Sequence, residues 1–283
     1  MYNFVPDYLT ASQEELEFFY KYVLPPLDYG ESYFLNLAYR PKGLTPEQRV
    51  QLGVGASEML KCEVLSLRNA GKPTLEQFKG FCRRFNVDEK SLLTKTDKEF
   101  PRSGFVVYML CNPSSELKVA KVVRNRVNEL TDELANAALK HSQDGVNVEL
   151  QKLSTLTKFV KTAHADCMGT RHYVDFDVDV LRDYYVPNYD KFHDVLLEEF
   201  KAGNFVMVAS TGGFHVLVKT SALNSGNMHN APTKLKALVD ASGNTEHSEV
   251  KNNKQCLFPL PGSVKTVGNE DFLVTVMNKE DFE

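Results

Sequence analysis

The sequence predicts an α+β fold, on three observations. Apolar residues recur at helical spacing, most plainly over Leu117, Ala120, Val123, Val127, Leu130, Leu134 and Ala138. Other short runs alternate or are wholly apolar at strand length, as in "HYVDFDVDV" (172–180), "FVMVAS" and "FHVLVK". The last two runs flank Thr211, Gly212 and Gly213, which reads as strand, turn, strand.

The elements follow in chain order. Ser12 and Glu15 form a capping box before a helix carrying Leu16, Phe19 and Val23, which Pro25 and Pro26 stop. "SYFLNLAYR" (32–40) is a strand. Thr45-Pro46 with Gln48 caps a second helix, and Thr74 with Gln77 caps a third, carrying Leu75, Phe78, Phe81 and Phe85. Residues 41–100 read as a helical insertion. "GFVVYMLCNP" (104–113) is a strand closed by an Asn-Pro turn. The long amphipathic helix from Leu117 follows, and Leu150, Leu153, Leu156 and Val160 suggest a partner helix. After the aspartate strand, residues 187–202 are expected to be helical. Beyond Ala222 the chain reads as polar and loop-rich until "CLFPLPGSV" and a last strand, "FLVTVM".

Composition narrows the function classes. A chain of 283 residues, 42% hydrophobic, can bury a substantial core. A formal net charge of -4 gives no global basic field, so any nucleic-acid contact must come from local patches. Five scattered cysteines without a CxxC pair suggest reduced thiols. The opening "MYNFVPDYLTASQEELEFF" has neither a basic region nor an apolar core of signal-peptide type, and no run reaches membrane-spanning length. A cytoplasmic protein without a membrane partner is expected.

Three constellations carry chemistry. In "HYVDFDVDV", Asp175, Asp177 and Asp179 project from one face, where each repels the next. Hard divalent cations take such oxygen ligands and cancel the repulsion; a solvated acidic edge is the plainer alternative. On repulsion alone, Asn at Asp175 or Asp177 should leave stability unchanged or slightly raised. In "ASTGGFHVLV", Ser210, Gly212, Gly213 and His215 offer hydrogen-bond donors and a close backbone approach to an anion; a plain hairpin is the alternative. In "CLFPLPGSVKTVG", a proline-stiffened turn presents Ser263 and Lys265, with Lys251 and Lys254 before it.

Taken in order, these segments resemble the archaeo-eukaryotic primase superfamily, which includes primase-polymerases and small primase subunits. Its paired acids match Asp175 and Asp177, although Asp177 and Asp179 offer a second register. Its Ser-x-His turn resembles "STGGFHVLV", with Ser210 and His215. Its third acid is matched by Asp240 in "LKALVDASG", with Glu246 and Glu249 as rivals. "LFPLPGSVK" is similar to a further family segment but has Lys265 where histidine is usual and no arginine directly before it; Lys254 is the substitute. "VVYMLCNP" is similar to an N-terminal strand of primase-polymerases.

The resemblance implies one catalytic domain over 1–283. An N-terminal α/β module (about 1–165) would pack on a half resembling an RNA-recognition-like antiparallel sheet (about 166–283). It implies a template-dependent nucleotidyltransferase, a DNA primase or primase-polymerase, making or extending primers on single-stranded DNA. Asp175, Asp177 and Asp240 would hold two Mg²⁺ or Mn²⁺ ions. Ser210, Gly212, Gly213, His215, Lys254, Ser263 and Lys265 would bind an NTP or dNTP. Lys118, Lys121, Arg124 and Arg126 would meet template phosphates. A replicative helicase, fused or separate, is a partner open to such a protein. An inactive initiator-like DNA-binding protein and a metal-dependent phosphoesterase or nuclease are the alternatives. His164, Cys167 and His172 lie at zinc-like spacing, but a fourth ligand is missing nearby, so no structural zinc is expected.

Overall fold

The computed structural model describes residues 12–40, 46–53, 58–84, 105–139, 147, 152, 156–243, 249–252, 257–267 and 270–282. It is a mixed structure of helices and antiparallel sheets, as an α+β fold requires.

The first half is built on one sheet. Its strands are β1 (Glu31–Tyr39), β2 (Glu58–Ser66), β3 (Phe105–Leu110), the short β4 (Ser114–Ser115) and β9 (Leu257–Pro259). Their order is β2-β1-β3-β9, with β4 on β1. Leu35, Leu37 and Tyr39 of β1 and Phe105, Val107 and Met109 of β3 enter one core. Phe34, Ala38, Val106, Tyr108 and Leu110 point the other way. Helix α1 (Gln13–Phe18) runs on as a π-turn (Phe19–Val23) and buries Leu16, Phe18, Phe19 and Val23 in the first core. Its box is half made. Ser12 Oγ accepts from the Glu15 amide, but the Glu15 carboxylate accepts instead from the Val276 amide at 2.9 Å, tying the first helix to the chain's end.

Helix α2 (Pro46–Leu52) precedes β2, and α3 (Leu75–Arg83) has the complete Thr74–Gln77 capping box. The expectation of a helical insertion over 41–100 is therefore corrected: β2 is a nine-residue strand on the edge of the first sheet. Eight cross-strand partners on β1 outweigh its mixed local propensity. Helix α4 (Glu116–Leu139) packs on α5 (Leu156–Asp166) through Val119, Val123 and Ala163, with Cys167 just past the end of α5 in the same cluster.

The second half follows a β-α-β-β-α-β path. Strand β5 (Tyr173–Asp179) leads through α6 (Arg182–Tyr185) and α7 (Tyr189–Phe200) to β6 (Phe205–Ser210). A tight turn leads to β7 (Gly213–Lys219), then α8 (Ser225–Asp240) and β8 (Glu249–Asn252). The sheet order is β6-β7-β5-β8, all antiparallel, so the first and third strands of the path lie at the centre. Val174, Phe176 and Val178 of β5 pack with Phe192, Leu196, Leu235 and Val239 from α7 and α8. Helix α8 corrects the loop expected after Ala222. Pro232 removes a donor inside it, but Asn224 and Asn227 form a capping box, and Ala231, Leu235 and Val239 bury one face. The opposite face of this sheet contributes Tyr173, Val206, Val208 and Leu217 to the first core, which joins the halves.

Strands β10 (Val264–Val267) and β11 (Glu270–Leu273) form a hairpin, and the expected "FLVTVM" strand stops at Leu273. Among the described residues no helix is long and apolar enough to cross a membrane.

Candidate active site

Strand register builds a polar surface on the face of β5 away from α7 and α8. Antiparallel partners share a face, so the side chains line up in rows. One row runs Ser210, Gly213, Asp179, Glu249 across β6, β7, β5 and β8. The next runs Val208, His215, Asp177, Lys251, and the third Val206, Leu217, Asp175. Asp175 and Asp177 therefore sit beside the histidine of the Gly-rich turn, although 40 and 38 residues separate them from it in sequence.

The electrostatics divide the aspartates. Asp175 is fully buried, and both its oxygens lie within 3.1–3.2 Å of His215 Nδ1. Asp177 and Asp179 keep 34% and 32% of their side chains exposed. His215 Nε2 lies 3.6 Å from Asp177 Oδ1, an ion-pair distance. Burial pulls the His215 ring toward neutrality and is the largest single influence. The charge and hydrogen bond of Asp175, with Asp177 behind, outweigh it, so the pKa lies above the ordinary histidine value; Lys265 opposes the rise. The charged form of the His215 ring, which its neighbours favour, would meet part of the repulsion along β5. Lys251 meets another part, with Nζ 2.5 Å from Glu249 Oε2 and 3.8 Å from Asp179 Oδ2.

The first sheet approaches the same acids. The Arg40 guanidinium lies over the Tyr108 ring, 4.8 Å from its centroid. Burial pushes the Tyr108 hydroxyl up to about 12; Arg40 opposes this, while the charges of Asp177 and Asp179 add to it.

The predicted residues fare unequally. Asp175, Asp177, Ser210, Gly213 and His215 share the acid face, and the buried Lys265 of β10 is close enough to act on His215. Gly213 has φ +140°, and a Cβ there would stand 1.9 Å from the Val178 carbonyl oxygen. The glycine is needed for strand contact, before any ligand is considered. The Gly212 carbonyl accepts from the Val180 amide. Ser263 Oγ donates to the Leu260 carbonyl at 2.6 Å and closes its own turn. Lys254 and Glu246 lie outside the described residues.

Asp240 is not brought to the pair. It ends α8, which packs on the opposite, apolar face of the sheet, and it is exposed and ion-paired with Lys236. Glu249 is the acid that register sets beside Asp179. On α4, Lys118 donates to the Met168 carbonyl and Arg126 pairs with Glu129, while Lys121 and Arg124 are exposed. Lys118 also lines a cleft of about 530 Å³ with Tyr29, Glu31 and Leu117. His164 Nδ1 lies 3.1 Å from Ser114 Oγ, and His172 Nε2 is buried with no hydrogen-bond partner among the described residues.

Among the described residues, no group of three or more His, Cys, Asp or Glu side chains is arranged to hold a metal ion. The donor chemistry of the acid face nevertheless fits a hard divalent cation. Asp177, Asp179 and Glu249 are accessible carboxylates on adjacent strands, and Asp175 lies behind them on His215. Sequence reasoning named Glu249 only as a rival to Asp240 and gave Lys251 no role on this face. The signal for both is the pairing of β8 with β5. No protein-family model, curated protein or solved structure matches this chain.

Proposed function

We propose that this chain is a template-dependent nucleotidyltransferase of the archaeo-eukaryotic primase kind, acting on single-stranded DNA with NTPs or dNTPs. One observation carries the reading: the acid pair Asp175 and Asp177 meets His215, from a separate motif, at 3.1–3.6 Å on one sheet face. The β-α-β-β-α-β path with central acids supports it, because an RNA-recognition-like sheet has that connectivity.

Asp177, with Asp179 and Glu249 beside it and Asp175 behind, would hold Mg²⁺ or Mn²⁺. The cation, when bound, would favour ionisation of the attacking hydroxyl and neutralise the polyphosphate. The chain's own groups do the rest. Asp175 fixes the ring of His215 and favours its charged form. The charged ring can donate to a phosphate oxygen through Nε2, which faces the more open Asp177. Lys265 adds positive charge at the same end. Lys121 and Arg124 on α4 remain candidates for the template backbone.

The test offers a single-stranded template, labelled NTPs or dNTPs, and Mn²⁺. The wild type should incorporate nucleotide. His215→Ala should weaken nucleotide affinity roughly ten- to a hundred-fold, the loss of one charge-assisted hydrogen bond, and leave template affinity nearly unchanged. Absence of any templated product would sink the reading. Template cleavage in its place would favour a nuclease on the same acids.

A further inference from the structure

We propose that Lys251 is a resident counter-ion of the acid face, holding a cation's place at Asp179 and Glu249 until a divalent ion displaces it. The identity of that ion rests on the nucleotidyltransferase reading. The position of Lys251 comes from the fold.

Strand β8 pairs with β5 so that Glu249 stands opposite Asp179 and Lys251 opposite Asp177, while Val250 between them turns into the apolar core. Three carboxylates therefore crowd the outer end of the face, and adjacent like charges on paired strands destabilise a sheet. Lys251 Nζ sits among them, 2.5 Å from Glu249 and 3.8 Å from Asp179.

The two counter-ions of this face differ in kind. His215 is buried and held by both oxygens of Asp175, so it cannot leave without stranding a buried charge. Lys251 is about half exposed at the end of a flexible stem. An exposed pair of this sort is worth little and gives way at little cost. A divalent cation offers the same carboxylates twice the charge and takes their oxygens directly. The freed ammonium then stays at the rim of the face, available to an anionic ligand.

The test measures Mn²⁺ binding by calorimetry and by loss of the free-ion paramagnetic signal, without nucleotide or template. Wild type, Lys251→Met, Lys251→Arg and Asp177→Asn are compared, each checked by circular dichroism. Removing the competing charge should tighten Mn²⁺ binding about two- to fivefold in Lys251→Met. Lys251→Arg keeps the charge and should bind Mn²⁺ no more tightly than wild type. Asp177→Asn should bind it much more weakly. A Lys251→Met protein that binds Mn²⁺ no more tightly than wild type, beside a defective Asp177→Asn, overturns the counter-ion role alone. An Asp177→Asn protein that binds as wild type does, or a wild type that binds no Mn²⁺, overturns the metal reading and the counter-ion role together.

Discussion

Two histidines in this molecule are almost equally buried, yet their protons are held in opposite ways. His164, at the end of α5, is 8% exposed, and His215, on β7, is 6% exposed. His164 has hydroxyl neighbours: Ser114 Oγ at 3.1 Å and Ser32 Oγ at 3.5 Å from Nδ1. Desolvation dominates there, so its pKa falls below the ordinary value, with Glu116 only partly opposing. His215 has a buried carboxylate on the same nitrogen, and its pKa rises. Burial makes a histidine neutral only while its partner is neutral; one buried acid reverses the outcome. The first half thus disfavours the charged form of its buried ring, while the second favours it beside its acids.

The strongest way to break this contrast is Asp175→Asn. It should make His215 resemble His164, with a neutral partner and a lowered pKa. Relief of like-charge repulsion along β5 predicts no loss of stability, but the burial of Asp175 and its pairing with His215 argue for the opposite. Asp175 is fully buried and holds the His215 ring through both oxygens, so its repulsion from Asp177 is the smaller effect. Removing one partner of a buried pair should cost about 2–4 kcal/mol, less than a full break because Asn keeps an acceptor. Urea unfolding measures it. A loss under about 0.5 kcal/mol would mean that the pair contributes nothing.

The pH dependence of stability is a smaller and sharper test. The folded pKa of His215 is raised, so its contribution is complete below the unfolded value of about 6.5 and is lost as pH rises through the folded pKa. The folded pKa of His164 is lowered, so its contribution is complete above about 6.5 and is lost as pH falls toward the folded pKa. Urea midpoints measured from mildly acidic to mildly alkaline pH should fall on both sides. Asp175→Asn should flatten the alkaline fall and, by lowering the His215 pKa, deepen the acid one. An unchanged alkaline arm would show that His215 is not the group responsible.

How much of this was legible in the sequence depends on the range of the forces involved. The strand of alternating aspartates, the Gly-rich turn, the long helix α4 and the Thr74–Gln77 cap are local patterns, and local rules found them. Helix α8 is hidden in the sequence because Pro232 and a polar start argue against a helix. Its stability comes from burying Ala231, Leu235 and Val239 on a sheet whose strands come from both sides of the helix in the chain. Strand β2 reads from the sequence as part of a helical region, because only its pairing with β1 fixes it as a strand. The third acid was sought by order along the chain, which suggested Asp240. Register across β8 favours Glu249 instead, and register cannot be read before the strand is found. The separation of Asp175 from Asp177 was also hidden. Alternation put them on one face, but only the first core and His215 make one buried and the other accessible.

Asp177→Asn should have the smallest effect on stability and is the control that gives Asp175→Asn its meaning. Asp177 is a third exposed, 3.6 Å from His215 Nε2 and between two other aspartates on the same face. Its attraction to His215 and to Lys251 across the strand pair is screened, and its repulsion from Asp175 and Asp179 opposes it. The net change on removing its charge should lie within about 0.5 kcal/mol. Incorporation and Mn²⁺ binding should nevertheless collapse, because the most accessible acid beside the histidine has lost its charge. Two isosteric changes, two residues apart on one strand, would then separate: one acting on stability and the histidine proton, the other on the reaction alone. Equal destabilisation by both would mean that the acids form a single buried cluster. Near-normal incorporation by Asp177→Asn would remove this face from the chemistry.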